Sequence, residues 1–457
     1  MSFSGNRKIL VQNYPLLWNS GGEKMVVRNQ AVLTARFNKL QADPTDIDAF
    51  CQLDGYAGLK KVVEMDKTAV LDELDRAVLL GRGGAAYPAG KKWRHLFYAK
   101  GQPKYIVCNA DEGEPGTFKD KALIEHDPLA IIEGMTIAGY MFDSPQGYIY
   151  IRGEYRNLHR CLRKALAQAR AANFLGENIL GITGFNYDIK IISGAGAYVC
   201  GESSALLNSI EGKTGRPRVK PPHLADVGLY QQPTLVNNVE SYANIPVIVR
   251  EGGTAFKVLG TEKGGGTKLI CLTGHVKNRG LFEVNLGTPL YDILYSEKYG
   301  GGSSTGRPLK FIHFGGQSGP IGAVAQLKDC LYSYDGLWAN NLAIGSGALV
   351  VMDDSVSIID YLNSVAAFFA HESCGKCTPC RIGTLRILEA LEKFQKKEAV
   401  PGDLEVFESM LTHVTQLSAC GLGQSVATSM VSSLKLFPEE FELAINRQTA
   451  EQKEVLW

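Results

Sequence analysis

Residues 105–117 have the sequence YIVCNADEGEPGT, in which a short apolar run ends in a polar loop. A short apolar run bounded by turn residues predicts a buried strand, here over residues 105–108. The same analysis predicts strands over residues 148–151 and 189–192, and helices over residues 69–80, 129–141 and 158–172, with a further helix that ends at residue 210. Strands that alternate with glycine-containing loops and helices predict an α/β domain ending near residue 250.

The downstream half has a different pattern. Strand-like runs over residues 269–273, 284–286 and 309–314 are separated by Gly, Asn and Pro, which predicts a small mixed β domain. From residue 355 onward the apolar residues recur at helical spacing, and helices are predicted over residues 385–394 and 406–417. The predicted order is an N-terminal extension (1–60), an α/β domain (61–252), a β domain (253–348), a helical domain (349–445) and a C-terminal tail (446–457).

Composition excludes several classes of function. The chain has 457 residues, 45% of them hydrophobic and 21% charged, with a formal net charge of +1. Such a balance is ordinary for a globular protein and provides no strong field for nucleic acid or anionic membranes. We expect no signal peptide, no membrane insertion and no nucleic-acid partner. Three of the ten cysteines lie between residues 374 and 380, which favours metal ligation in a reducing, cytoplasmic compartment over a disulfide framework.

The strongest local motif is a cysteine cluster. Cys374, Cys377 and Cys380 are separated by two residues each, so their soft thiolates can converge on one iron–sulfur cluster. A [4Fe–4S] cluster needs a fourth ligand, and Cys420 is the only cysteine downstream. A zinc ion with four cysteine ligands remains the alternative. Zinc usually takes paired Cys-x-x-Cys units, so three cysteines plus one remote cysteine favour the cluster.

Residues 81–92, GRGGAAYPAGKK, form a glycine-rich stretch that follows a predicted helix and lacks the spacing of a dinucleotide fingerprint. Its bare backbone N–H groups, with Arg82 and Lys92 beside them, nevertheless suit an anion. Tyr87 offers a ring for stacking on a flat ligand. A purely structural turn is the alternative explanation of such a stretch.

Polar residues lie in three further predicted loops. Asp111, Glu112 and Glu114 lie in the loop after the first strand, where carboxylates would bind ribityl or ribose hydroxyls; the alternative is a solvated acidic turn. Glu202 ends a second glycine-containing loop. Asn237 and Asn238 offer side-chain amides that can bind the edge of a heterocycle.

Six motifs together resemble one family: GRGGAAYPAGKKW, NADEGEPGTFKD, YIRGEY, GAYVCGES, PTLVNNVE and ESCGKCTPCR. They are similar to the NADH-binding flavoprotein subunit of respiratory complex I and to its counterparts in NAD-linked hydrogenases, formate dehydrogenases and electron-bifurcating enzymes. The resemblance runs in order from about residue 50 to residue 445. It implies an α/β fold with a Rossmann-like FMN and NADH domain, a ubiquitin-like β-grasp domain and a helical bundle that carries a [4Fe–4S] cluster.

The resemblance also implies an activity and its residues. NADH would pass hydride to FMN, and single electrons would continue through the cluster to partner subunits. The residues matched to FMN binding are Gly81, Arg82, Gly83, Gly84, Lys92, Asn109, Asp111, Glu112, Glu202, Asn237 and Asn238. Tyr87, Glu112 and Glu114 match the nucleotide site, and Cys374, Cys377, Cys380 and Cys420 match the cluster ligands.

Glu112 is the residue assigned to catalysis. We expect its carboxylate to shape the nicotinamide pocket and, with Glu114, to disfavour the 2′-phosphate of NADPH, because like charges repel strongly in a dry site. The alternative is that both residues cap the loop before Thr117 and Phe118.

Two residues and one segment depart from the family pattern. Ser203 replaces a carboxylate, His95 replaces an expected aromatic, and residues 418–423 resemble the soluble hydrogenase and bifurcating branch more than the complex I branch. Fused thioredoxin-like and ferredoxin-like domains are missing from the sequence. The expected partners are therefore a small [2Fe–2S] thioredoxin-like subunit, further iron–sulfur or catalytic subunits, NADH and ferredoxin. A component of membrane-bound complex I and an interaction module without cofactors are the alternatives.

Overall fold

The computed structural model describes residues 27–28 and 32–446. Its strands are β1 Val27–Arg28, β2 Tyr105–Ala110, β3 Gln146–Ile151, β4 Asp188–Ser193, β5 Thr234–Asn238, β6 Thr267–Gly274, β7 Gly280–Asn285, β8 Thr288–Pro289, β9 Leu309–Phe314, β10 Ile321–Ala323, β11 Leu331–Tyr332 and β12 Ala348–Asp353. Its helices in the first half are α1 Ile47–Gln52, α2 Ala57–Val62, α3 Lys67–Arg76, α4 Ala89–Tyr98, α5 Lys119–His126, α6 Pro128–Met141, α7 Arg156–Ala171, α8 Ser203–Ile210, α9 Val239–Glu251 and α10 Gly253–Lys257. The later helices are α11 Leu290–Tyr295, α12 Tyr334–Ala339, α13 Ile358–Glu372, α14 Thr378–Gln395, α15 Asp403–Leu417, α16 Gly421–Ser425, α17 Thr428–Leu436 and α18 Pro438–Leu443.

Four strands form a parallel sheet in the order β4-β3-β2-β5. Side chains alternate across it, as the pleat requires: Ile106 and Cys108 enter one hydrophobic core, and Val107 enters another. The strands are joined through helices, because parallel neighbours need crossover connections. The prediction of an α/β fold around a parallel sheet is confirmed.

Helices α6 and α9 cover one face of this sheet, and their backbones are in close contact. A Cβ added to Gly134 of α6 would lie 2.1 Å from the carbonyl oxygen of Tyr242 in α9. The same core contains Phe50, Tyr56 and Leu59 from α1, the turn after it and α2. Residues of this N-terminal segment therefore contribute to the core, and the predicted boundary at residue 60 falls within α2. Short helices give little periodic signal in the sequence.

A second, mixed sheet has the order β1-β7-β6-β12-β9-β10. Its central strands β6 and β12 are parallel, and each has an antiparallel neighbour, β7 and β9. The predicted boundary at residue 348 falls on the first residue of β12, which ends at Asp353. We refer to residues 253–353 as the β region.

Six helices, α13 to α18, follow the β region, which confirms a helical C-terminal region. The predicted helix over residues 385–394 is longer than expected, because α14 begins at Thr378 inside the cysteine motif and has Pro379 in its first turn. Proline is favoured at that position, since the first backbone N–H groups of a helix have no partner in the helix. No helix in the described ranges has the length and apolar character needed to cross a membrane.

Candidate active site

Four segments meet at the carboxyl edge of the parallel sheet, where ligands bind in open α/β folds. They are the acidic loop (residues 109–117), the 194–202 loop, the start of α9 after Asn238, and the glycine loop (residues 81–88). A Cβ added to Gly83 would lie 3.1 Å from Cβ of Asn238, so the glycine loop reaches this edge. Asn109 Nδ2 donates to the carbonyl of Gly201 at 2.9 Å and joins the acidic loop to the 194–202 loop.

Asp111 is a buried carboxylate with an unused acceptor. Its side chain is only 8% exposed, and its Oδ2 has no hydrogen-bond partner. Burial raises the pKa of Asp111 to about 7, although the positive charge of Arg152 acts in the opposite direction. A buried polar atom without a partner costs stability, so this oxygen suits an N–H or O–H group of a bound ligand.

Glu112 has a different environment from the one predicted. Its Oε1 accepts from the backbone N–H of Asp120 at 2.8 Å and its Oε2 from that of Lys121 at 3.0 Å, both in the first turn of α5. Burial and then the negative charge of Asp120 raise the pKa of Glu112. Because both oxygens bind the start of a helix, the structure favours the capping alternative over a role in the nicotinamide pocket.

Glu112→Gln distinguishes these two roles. If Glu112 caps α5, the variant loses one of the two carboxylate oxygens that accept backbone N–H groups. The free energy of unfolding then falls by about 1 kcal/mol. Its Kd for NADH then stays at the wild-type value. Thermal unfolding of the flavin-loaded protein and nucleotide titration measure both quantities. A changed Kd at unchanged stability would instead restore the pocket role.

Glu114 joins the acidic loop to the β region. Its carboxylate accepts from the backbone N–H of Ser318 at 3.0 Å and from the hydroxyl of Tyr198 at 2.6 Å. Burial raises the pKa of Glu114 even though these hydrogen bonds oppose the shift. Both carboxylates that were expected to repel a 2′-phosphate therefore accept hydrogen bonds from protein donors, and the preference for NADH over NADPH stays a prediction.

Arg82 also departs from prediction. Its side chain is fully buried, and its two amino groups donate to the carbonyls of Leu80, Gly265 and Thr267 and to the hydroxyl of Tyr334, at 2.8–3.1 Å. The expectation that Arg82 offers positive charge to an anion is thus corrected: the guanidinium points into the protein and holds the glycine loop in place.

Lys92 remains suited to an anion. Its Nζ donates to the carbonyl of Val236 at 3.0 Å, which leaves two of its three N–H groups. Burial lowers the pKa of Lys92 to about 8, and the positive charge of Lys220 adds to the shift. Tyr87 is 50% exposed at the rim of the glycine loop. Nearby, His95 Nε2 lies 3.0 Å from Asp226 Oδ1, so this departure from the family pattern places an imidazole and a carboxylate together.

The other predicted residues mostly bind the protein itself. Glu202 caps α8, since its Oε2 accepts from the backbone N–H groups of Ser204 and Ala205 at 2.9 Å. In the amide orientation that satisfies both of its groups, Asn237 accepts from Trp93 Nε1 at 2.9 Å. Asn238 caps α9 by accepting from the backbone N–H of Glu240 at 3.0 Å. These contacts fix the loops, so these three side chains hold the site in shape.

A buried charge network lies beneath Asn238, and sequence reasoning missed it. Lys119 Nζ lies 2.7 Å from Asp120 and 3.0 Å from Glu240, and Lys268 Nζ of the β region lies 2.6 Å from Glu240. Although burial acts to lower it, the charges of Asp120 and Glu240 hold the pKa of Lys119 above its usual value. The adjacent Lys119 and Asp120 were visible in the TFKD motif, but such a pair is common on solvated surfaces.

The four predicted cluster ligands border one cavity. Cys374, Cys377, Cys380 and Cys420 line it together with Val199 and Pro217. A Cβ added to Gly423 would lie 3.0 Å from Cβ of Cys380, so this glycine allows the remote segment to approach the motif. In the part of the chain that the structure describes, no three His, Cys, Asp or Glu side chains converge closely enough for a single metal ion. The four cysteines instead line one shared cavity.

Six further cysteines lie outside this cavity, and four of them are isolated in sequence: Cys51, Cys161, Cys271 and Cys330. Burial raises the pKa of each of these four thiols, and we expect them to pack as small apolar residues. Replacing each by Ala should leave iron and flavin content at the wild-type level, as measured by metal analysis and flavin release. Loss of iron in any one variant would require a second metal site.

One loop connects the two sites. Val199 borders the cysteine cavity, whereas Gly201, two residues later, contacts Asn109 and lies against Asp111. The backbone N–H of Tyr198 donates to Glu372 of α13 at 3.1 Å, which fixes the loop to the helical region. Residues 198–201 therefore separate the carboxyl edge of the parallel sheet from the cavity by a single stretch of backbone.

Known proteins match the chain over both regions. Residues 74–247 match the family described as the Nuo51 FMN-binding domain, and residues 360–444 match the NADH-ubiquinone oxidoreductase-F iron–sulfur binding region. The HndC component of the NADP-reducing hydrogenase of Solidesulfovibrio fructosivorans is 42% identical, over 88% of this chain and 81% of its own length. An F-type component of the NADH-quinone oxidoreductase of Rhizobium meliloti is 41% identical, over 85% of this chain and 91% of its own length.

Comparison with solved structures agrees with the sequence similarity. A crystal structure of NAD⁺-reducing [NiFe]-hydrogenase in the H₂-reduced state superposes with a TM-score of 0.79 at 29% identity, over 93% of this chain and 68% of that one. Fold and site thus define an oxidoreductase subunit with an FMN-binding domain and a [4Fe–4S]-binding region. The chain belongs to the family of F-type components of NADH-quinone oxidoreductases and their hydrogenase counterparts.

Proposed function

We propose that this chain oxidises NADH within a multi-subunit complex, with FMN at the carboxyl edge of the parallel sheet and a [4Fe–4S] cluster in the cysteine cavity. The observation that carries this proposal is the 198–201 stretch, which borders both places. When bound, FMN accepts hydride from NADH and releases electrons one at a time. The protein supplies the two binding sites and the short separation between them.

The residues at the edge fit FMN. The glycine loop offers backbone N–H groups, and Lys92 keeps two N–H groups for the phosphate. The unpartnered Oδ2 of Asp111 supplies an acceptor for an N–H of the ring or a hydroxyl of the ribityl chain. Asn109, Glu202, Asn237 and Asn238 hold the loops that carry these groups.

The cavity fits an iron–sulfur cluster. Cys374 and Cys377 lie in the loop between α13 and α14, and Cys380 lies in the first turn of α14. Cys420 immediately precedes α16. Four thiolates are the usual ligand set of a [4Fe–4S] cluster. A cofactor-free interaction module would have no need for four cysteines around one cavity.

The strand order of the β region supports a ubiquitin-like β-grasp domain. Its first and last long strands, β6 and β12, are central and parallel, with antiparallel neighbours β7 and β9 outside them. We accordingly place the domains at residues 32–252, 253–353 and 354–445. These limits follow the sheets rather than the sequence composition.

The complex proposed is a cytoplasmic hydrogenase, formate dehydrogenase or electron-bifurcating enzyme, and membrane-bound complex I is the second candidate. Similarity to HndC and to the NAD⁺-reducing hydrogenase supports the first, whereas similarity to the Rhizobium NADH-quinone oxidoreductase component supports the second. The proposed partners are a [2Fe–2S] thioredoxin-like subunit and further iron–sulfur or catalytic subunits, with ferredoxin as an additional acceptor.

Anaerobic purification of the native complex tests the proposal. We expect one FMN and about four irons for this chain once the centres of the co-purifying subunits are subtracted. The identity of those subunits separates the two kinds of complex. FAD in place of FMN, or zinc in place of iron, would contradict the proposal.

A further inference from the structure

Arg82 is the only fully buried side chain in the glycine loop. Gly83, Ala85 and Tyr87 are exposed, and the backbone of Gly84 has a φ of +123°, which favours glycine. A loop of this composition loses much conformational entropy when it is ordered around a ligand. The hydrogen-bond partners of Arg82 therefore help to order the glycine loop before a ligand binds.

Most of the groups that hold Arg82 belong to the β region. Its Nη2 donates to the carbonyls of Gly265 at 2.8 Å and Thr267 at 3.0 Å, and its Nη1 donates to the hydroxyl of Tyr334 at 3.1 Å. The backbone N–H of Arg82 donates to Ser241 Oγ of α9 at 2.9 Å. The planar guanidinium suits this set of fixed acceptors, because its donors point in fixed directions.

Two other contacts join the β region to the glycine loop and to the start of α9. A Cβ added to Gly84 would lie 3.7 Å from the carbonyl carbon of Gly345, so the glycine loop also rests against the β region. Glu240 accepts from the backbone N–H of Leu269 at 3.0 Å and pairs with Lys268, which ties the start of α9 to β6. The β region thus supports the glycine loop and the Asn238 segment next to it.

We propose that Arg82 and Tyr334 form a clamp that orders the glycine loop for FMN, so that flavin affinity depends on a tyrosine of the β region. Both are positioning residues, since the clamp acts through the backbone of Gly83 and Gly84. The inference rests on the proposed FMN site. Its physical basis is preorganisation: a loop already ordered by the clamp has less entropy to lose when FMN binds.

Two tyrosines give a matched test. Tyr332 and Tyr334 are both buried in the β region, but the hydroxyl of Tyr332 has no hydrogen-bond partner. In Tyr334→Phe, we expect FMN to bind the deflavinated full-length chain roughly tenfold more weakly, as for loss of a hydrogen bond to a charged group. Tyr332→Phe should bind FMN as the wild type does. Fluorescence titration with FMN measures all three, and thermal unfolding of the apoprotein is recorded in parallel.

Arg82→Lys provides a second variant, because a lysine keeps the charge but cannot reach the three acceptors in the β region together. It should weaken FMN binding more than Tyr334→Phe does. Wild-type affinity in both variants, or an equal loss in Tyr332→Phe, would overturn the clamp. A wild-type chain that binds no FMN would overturn the proposed function itself, so the two failures are distinguishable.

Discussion

Cys420→Ser should lose the iron–sulfur cluster, with iron falling from about four per chain to near zero. The serine hydroxyl is a hard, weakly acidic group and a poor substitute for a thiolate on iron. Among the described residues, Cys420 is the one cysteine outside the 374–380 motif that lines the cavity, so no other lining thiol is there to replace it. Electron transfer from NADH to the natural partner subunits should fall at least about 100-fold.

The control for this variant is Cys330→Ser, which changes a buried thiol remote from the cavity. It should keep its iron. FMN content should stay unchanged in both variants, because none of the contacts described for the carboxyl edge involves Cys420. Metal analysis, flavin release and the low-temperature EPR spectrum of the reduced protein measure the outcome. Full iron occupancy in Cys420→Ser would place the fourth ligand elsewhere.

Gly83→Val should abolish FMN binding, with an affinity loss of at least about 100-fold. The first added carbon would lie 3.1 Å from Cβ of Asn238, which is closer than ordinary contact. Asn238 cannot retreat easily, since its amide donates to Asp120 at 2.6 Å and its oxygen accepts from Lys119 at 3.1 Å. The glycine loop must therefore shift as a whole.

Gly83→Ala should give an intermediate loss, because it adds the close carbon without the two branches of valine. Both variants should keep their cluster, since Gly83 does not line the cysteine cavity. Titration of the deflavinated chain with FMN measures the series. Undiminished affinity in the valine variant would remove the glycine loop from the flavin site.

Local patterns were sufficient for three strands of the parallel sheet and for the cysteine motif, but β5, over Thr234–Asn238, was predicted as a loop. The strand 105–108 and the helix 129–141 were predictable because each is a continuous apolar segment, and Cys374, Cys377 and Cys380 are close in sequence. The limits of the β region were not predictable. Strand β12 joins β6 by a pairing of Ala348 with Cys271, and a contact between such distant positions leaves no local signal.

The carboxylates of the acidic loop show a second limit. Asp111, Glu112 and Glu114 look alike in sequence, yet one has an unpartnered oxygen, one caps α5 and one binds Ser318, 204 residues away. An acidic residue ahead of a helix start is a capping signal that could have identified Glu112. The inward orientation of Arg82 had no such signal, since its acceptors are carbonyls at Gly265 and Thr267.

Rapid mixing of the anaerobic native complex with NADH tests the central claim most directly. We predict that loss of flavin absorbance precedes reduction of the cluster, because the flavin site receives the hydride and the 198–201 stretch separates it from the four cysteines. Cys420→Ser should keep the first phase and lose the second. A cluster that NADH reduces in flavin-free protein, or a second phase that persists in Cys420→Ser, would contradict the account.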